Sequence, residues 1–142
     1  MVKQLSIFLQ NESGRIADIA KTLADAQINI RALNIADTPD FGILRMLVSD
    51  VDAAVKALSA KGYVAKATPV TVVAVPDEVG GLATVLSIMA EGGIDLEYMY
   101  SYLGRSMKHA YMIFRSGDET ALAKLLTEHG IVVADKEDLH LK

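Results

Sequence analysis

Apolar and polar positions along this chain change period several times, and each change marks an element. From Val2 to Leu9, Leu5, Ile7 and Leu9 alternate against Gln4, Ser6 and Phe8, which is the period of a strand. Past Gly14, Ile16, Ile19, Ala20 and Leu23 recur at helical spacing, with Asp18, Lys21 and Asp25 on the other side. INIRALNI, residues 28–35, is rich in β-branched side chains and reads as a strand. Its apolar positions switch parity, from Ile28 and Ile30 to Leu33 and Ile35, and a bulge around residues 31 and 32 would cause the switch. DTPDFG, residues 37–42, is a turn leading into the strand ILRMLVS. DVDAAVKALSAKG, residues 50–62, reads as a helix with Asp50 or Asp52 as N-cap and Gly62 as its stop, and a last strand starts at Tyr63.

The second half repeats this order. VTVVAV (70–75) is followed by a helix over 79–91, the strand IDLEYMYSYL, a GRSMK turn, the strand AYMIFRS, a helix over 118–129 and the strand IVVA. Gly14 and Gly80 stand 66 residues apart, and Glu12 with Glu78, Ala17 with Ala83, Ala24 with Ala90, Ile28 with Ile94 and Met46 with Met112 keep that spacing. The second copy carries about two extra residues before its final strand. Two βαββαβ units follow, each an antiparallel sheet with two helices on one face. Their expected limits are 1–68 and 69–142, with almost no linker at Thr68 and Pro69.

Composition narrows the function classes. Units of about 70 residues are marginal alone, and 51% hydrophobic residues exceed what two small isolated cores need, so the expectation is a homodimer. A net charge of -4 offers no basic face for a phosphate backbone, so nucleic acid is not an expected partner. With no cysteine there is neither a disulfide framework nor a thiolate metal site. No leader-like segment or apolar run of spanning length occurs, which points to a cytoplasmic protein without a membrane partner.

Catalytic constellations are missing from the pattern. His109, His129 and His140 have no metal-ligand spacing, no serine sits in a G-x-S-x-G elbow, and Asp50 and Asp52 are most simply caps. The reading is therefore a non-enzyme with no metal or cofactor. The glycine turns NESGR and DEVGG carry more. A glycine between strand and helix permits a positive φ or a close backbone approach, and the helix start beyond it offers unpaired N–H groups to an anion. Neither turn has a phosphate-binding loop, but a single carboxylate would suit it. From spacing alone a plain tight turn is the simpler explanation of the glycines. Tyr98, Tyr100 and Tyr102 share one strand face, where packing and contact with a planar ligand are both open.

NESGRIADIAKTLADAQINI and DEVGGLATVLSIMAEGGIDL both resemble the opening of an ACT domain: a polar residue, two variable positions, glycine, an apolar helix, then a Gly or Gln, Ile, Asn or Asp entry to the next strand. The resemblance covers essentially the whole chain as a tandem pair without an attached enzyme. It implies an α+β fold of two ferredoxin-like units and non-catalytic binding of a free L-amino acid as a regulatory signal. It also implies a site between the first loop of one domain and the second strand of a neighbour. Carried onto this chain, the first loop is Asn11, Glu12, Ser13, Gly14 and Arg15, and the second is Asp77, Glu78, Val79, Gly80 and Gly81 with Leu82. The strand entries are Ile28, Asn29, Ile94 and Asp95. Loop amides would take the α-carboxylate, while Asn29, Asp95 or strand carbonyls would accept from the α-ammonium. The loops are not equivalent, since Gly81 replaces Arg15 and Val79 replaces Ser13. Rival readings are a regulatory subunit or assembly module that binds a partner enzyme or regulator without its own ligand, and an enzyme of the same topology.

Overall fold

The computed structural model describes residues 1–10, 12–37, 41–103 and 109–142. The elements run β1 (Val2–Gln10), α1 (Arg15–Asp25), β2 (Ile30–Asp37), β3 (Phe41–Val48), α2 (Val51–Ala60), β4 (Val64–Pro76), α3 (Gly81–Glu91), β5 (Tyr98–Ser101), β6 (His109–Arg115), α4 (Glu119–Glu128) and β7 (Val132–Ala134). The βαββαβ order appears twice, as the hydrophobic pattern required. The middle of the 37–42 turn and the whole GRSMK turn lie outside the described residues.

The chain divides into two compact units, Lys3–Thr68 with His140–Lys142 and Pro69–Leu139 with Met1–Val2. In the first, the strand order is β2-β3-β1-β4. Alternate residues of β1 and β3 (Leu5, Ile7, Leu44, Met46) meet Ile19 and Leu23 of α1 and Val51, Ala54 and Leu58 of α2 in one buried cluster. Both helices therefore cover one face of the sheet. The bulge lies where the parity switch put it, with the β2–β3 register shifting between Ile30 and Ala32.

In the second unit, β4 pairs with both β6 and β7, and β5 pairs with β6. Val73 and Val75 pack with Val85 and Met89 of α3, Phe114 of β6, and Leu122 and Leu126 of α4. β4 is one continuous strand, with residues 64–68 in one unit and 69–76 in the other.

Three local expectations are corrected. The strict alternation of β1 fails because Gln4 and Ser6 are buried at 0% and 5% exposure while Phe8 is 42% exposed. These polar residues are tolerated inside because Gln4 Nε2 donates to Ser6 Oγ at 2.9 Å and Ser6 pairs with Thr68 Oγ1 at 2.9 Å. α3 begins at Gly81 instead of residue 79, since Gly80 is left-handed and ends the turn that precedes it. The strand expected over 94–103 is only Tyr98–Ser101, because the Ile94 amide still donates to the helix carbonyl of Met89.

Candidate functional site

The four helices start in two ways. Asp50 and Asp118 cap α2 and α4, accepting from the amides of Ala53 and Ala121. α1 and α3 start from Gly14 and Gly80 with φ 82° and 85° and no side-chain cap. Only glycine adopts this conformation without strain. The turns match in their bonds: Glu12 N donates to Gln10 O at 2.8 Å and Glu78 N to Pro76 O at 2.9 Å. Inside the helices, bonding resumes with Asp18 N to Gly14 O and Thr84 N to Gly80 O, both at 3.0 Å. The amides of Ile16 and Ala17, and of Leu82 and Ala83, therefore have no carbonyl within their helix to bond.

Side chains around the first turn form a connected polar cluster. Arg15 donates to Glu12 Oε2 from Nε at 3.1 Å and from Nη2 at 2.7 Å. Its guanidinium lies over the Tyr63 ring, 5.9 Å from the centroid. The Tyr63 hydroxyl donates to Asp18, which also receives Lys61 Nζ at 3.0 Å. The Glu12 carboxylate holds the Arg15 guanidinium above its ordinary value, and the Tyr63 bond, followed by Lys61, holds the Asp18 carboxyl below its own. Accepting the phenolic bond, Asp18 raises Tyr63 in turn. Beside this cluster opens a cavity of about 260 Å³ lined by Phe8, Leu9, Gln10, Arg15, Gly62, Tyr63 and Val64.

The structure gathers some of the expected site residues and separates others. Glu12, Ser13, Gly14 and Arg15 share the exposed first turn, while Asn11 lies outside the described residues. Asp77, Glu78, Val79 and Gly80 share the exposed second turn, Gly81 is buried, and Leu82 packs into the helix-face core. Ile28 and Ile94 also belong to the cores, whereas Asn29 and Asp95 are exposed. Within a unit, loop and strand entry sit at opposite ends of the sheet. Gln10 pairs with Phe41 but Ile30 with Val48, a separation of about 23 Å along β3 at roughly 3.3 Å per residue. Likewise Pro76 pairs with His109 and Tyr98 with Arg115. Within one unit the two therefore do not share a site.

Of the cavity wall, the sequence reading of the site missed Phe8, Leu9, Gln10, Gly62, Tyr63 and Val64. The available signal was topological: in a βαββαβ unit the end of the first strand neighbours the start of the fourth, so the residues after Gly62 return to the glycine turn. The three tyrosines in and just after β5 have packing partners. Tyr98 and Tyr100 stack with centroids 6.5 Å apart, Tyr102 meets Tyr111 edge-on at 5.7 Å, and the Tyr102 hydroxyl donates to Leu139 O at 3.2 Å. Among the described residues, no group of three or more His, Asp or Glu side chains could hold a metal, and no helix is long and apolar enough to cross a membrane.

A family model described as an ACT domain pair matches residues 1–141. The chain belongs to the ACT domain family. Protein BT0572 from Bacteroides thetaiotaomicron superimposes on this ACT pair with a TM-score of 0.90 at 38% identity, covering 98% of this chain and 95% of that one. The ligand-free regulatory subunit of aspartate kinase from Thermus thermophilus superimposes with a TM-score of 0.62 at 17% identity, over 89% of the pair and 91% of that chain. The corresponding subunit from Thermus flavus gives a TM-score of 0.56 at 16% identity, over 90% and 93%. At these lower identities the likeness establishes the shared fold. No curated protein matches the ACT pair.

Proposed function

We propose that this ACT pair is a non-catalytic regulatory sensor that binds a free L-amino acid at a glycine turn, working in the cytoplasm as a homodimer. Its domains would be residues 1–68 and 69–142. The observation that carries the reading is the pair of left-handed glycine caps. Where α2 and α4 close their first turns with aspartates, α1 and α3 leave theirs open to a carboxylate. Loop and strand entry of one unit lie a sheet length apart, so Asn29 or Asp95 would reach such a ligand only from a second copy of the chain.

Fold likeness to regulatory subunits of aspartate kinase supports a regulatory role, with a partner enzyme reading out ligand occupancy through a shifted interface. A thermal-shift screen of the twenty amino acids tests the sensor. One or a few should raise Tm, since a ligand at 100 times its Kd adds about 2.7 kcal/mol. A flat screen at millimolar concentration removes the sensor reading and leaves an assembly module, for which Phe41 and Val64, each 65% exposed, offer apolar contact. Sedimentation should show about twice the chain mass of 15.3 kDa.

A further inference from the structure

The two turns share a backbone, but the first sets a cationic side chain, Arg15, on the wall of a cavity, where the second has Gly81. We infer that the Glu12–Arg15 ion pair is a clamp for an amino-acid zwitterion whose apolar side chain enters the adjoining cavity, and that the second turn holds no such site. This rests on the amino-acid-binding reading above and assigns it to one unit and one ligand class.

Arg15 is on the cavity wall, and its partner is a glutamate three residues before it on an exposed turn. The two side chains are 44% and 56% exposed, and an ion pair so open to water contributes little, so parting it costs little. Once parted, it presents a guanidinium to the α-carboxylate and a carboxylate to the α-ammonium. One ion pair is exchanged for two, and no charge is left unpaired. Arg15 is already steadied for this role by the Tyr63 ring beneath it, and that ring is fixed through its hydroxyl on Asp18. Asp18 and Lys61 neutralise each other and so do not compete for the ligand's charges. The remaining walls are the apolar Phe8, Leu9 and Val64 together with Gly62 and the polar Gln10.

The second unit cannot imitate this arrangement. Gly81 stands where Arg15 does, and a Cβ there would lie 2.1 Å from the Pro76 carbonyl oxygen. Ile131 stands where Tyr63 does, each donating its amide to the last helix turn, at Leu126 O and Leu58 O respectively. The guanidinium and the aromatic platform are both missing.

Isothermal titration of the full chain tests the assignment, using L-leucine and L-phenylalanine beside 4-methylpentanoate and 3-methylbutylamine, which keep the leucine side chain and lose one charge each. We expect one site per chain for at least one of the amino acids. Each analogue should bind about 100-fold more weakly, because it leaves one clamp charge unpaired. Arg15→Gln and Glu12→Gln should each weaken the amino acid at least about tenfold, with Arg15→Lys between wild type and Arg15→Gln. Both positions are exposed, and unchanged urea melts would confirm that the variants fold. Wild-type affinity in folded Arg15→Gln and Glu12→Gln, equal binding of either analogue, two equivalent sites per chain, or a preference confined to charged amino acids would each overturn the clamp while leaving an amino-acid sensor standing. If none of the twenty amino acids binds, the sensor reading and the clamp fall together.

Discussion

Gly14 and Gly80 hold nearly identical conformations, φ 82° with ψ -1° and φ 85° with ψ -3°, in turns with the same backbone bonds. What surrounds them is unlike. The first turn carries an ion pair, an aromatic platform and a cavity, while the second is closed down on Pro76. A similar divergence separates α2 from α4. Both are capped by aspartate, yet the next residue is a buried Val51 in one and a buried Glu119 in the other. The repeat has kept the geometry of its element ends and changed the chemistry placed on them. Backbone conformation is constrained by every neighbouring hydrogen bond, whereas a side chain answers only to its own surroundings.

The largest effect should come from removing Glu119, which the first unit manages without. Its Oε1 accepts from Ser116 N at 2.8 Å and Gly117 N at 3.2 Å, and its Oε2 accepts from Thr71 Oγ1 at 2.6 Å. Arg115 Nη1 lies 3.4 Å away. Ser116 and Gly117 are the residues by which the second copy exceeds the first here, so the buried carboxylate serves to tie down an insertion. Glu119→Ala should cost about 3 kcal/mol, because the buried Thr71 hydroxyl and two part-buried amides lose their acceptor at once. Val51→Ala, which removes only apolar volume, should cost about half as much. Equal urea midpoints for the two variants would break the contrast.

Next is Gly81. Glycine to alanine inside a helix ordinarily gains up to about 1 kcal/mol. Here the added Cβ would collide with a backbone carbonyl, so Gly81→Ala should lose about 2 kcal/mol. At the matching position, Arg15→Ala should leave the urea midpoint near wild type. A stabilised Gly81→Ala would show that the second turn has room for a side chain, and with it the clamp's restriction to the first unit would go.

Smaller again, and equal in the two units, should be the cost of valine at the caps. A Cβ at Gly14 or Gly80 meets nothing within 4 Å, so the penalty is conformational alone, about 1 to 2 kcal/mol at each. Asparagine, which tolerates positive φ, should recover most of it. Costs that differ by more than the asparagine recovery would mean that the two backbones are not equivalent after all.

The same division decides what was legible in the sequence. Features set by local pattern could be read: the strand and helix order, the Asp50 cap, and the bulge between Ile30 and Ala32, whose parity switch is visible in the residues themselves. Features set by contacts across the fold could not. Gln4 and Ser6 look like a solvent face until Thr68 is brought beside them. The candidate site divides likewise. The replacement of Arg15 by Gly81 can be seen by aligning the copies, but the Tyr63 platform comes from 48 residues further along the chain and is apparent only once β4 lies beside β1.

The smallest effect is a dependence on pH at Asp18 of the first unit. Asp18 accepts the Tyr63 hydroxyl and faces Lys61, and both hold its carboxyl below the ordinary range. A carboxyl whose folded value is depressed binds its proton less readily when folded. Its contribution is therefore present above the unfolded value of about 3.9 and is lost as pH falls through the folded one. Tyr63 is shifted upward by the same bond, so its share is present below about 10 and is lost as pH rises through its folded value. Neutral pH lies inside both windows. Asp18 and Lys61 are 42% and 49% exposed, so screening keeps the effect small and the measurement must be differential. The urea midpoint of Asp18→Asn should lie below wild type at pH 7, and the gap should close as both are acidified below about pH 4. Thr84 holds the matching place in α3, where its hydroxyl donates to Gly80 O at 3.1 Å. A Thr84→Ala gap should stay constant over the same range. If the Asp18→Asn gap also stays constant, the carboxylate acts by hydrogen bonding alone, and charge no longer separates the two units at this position.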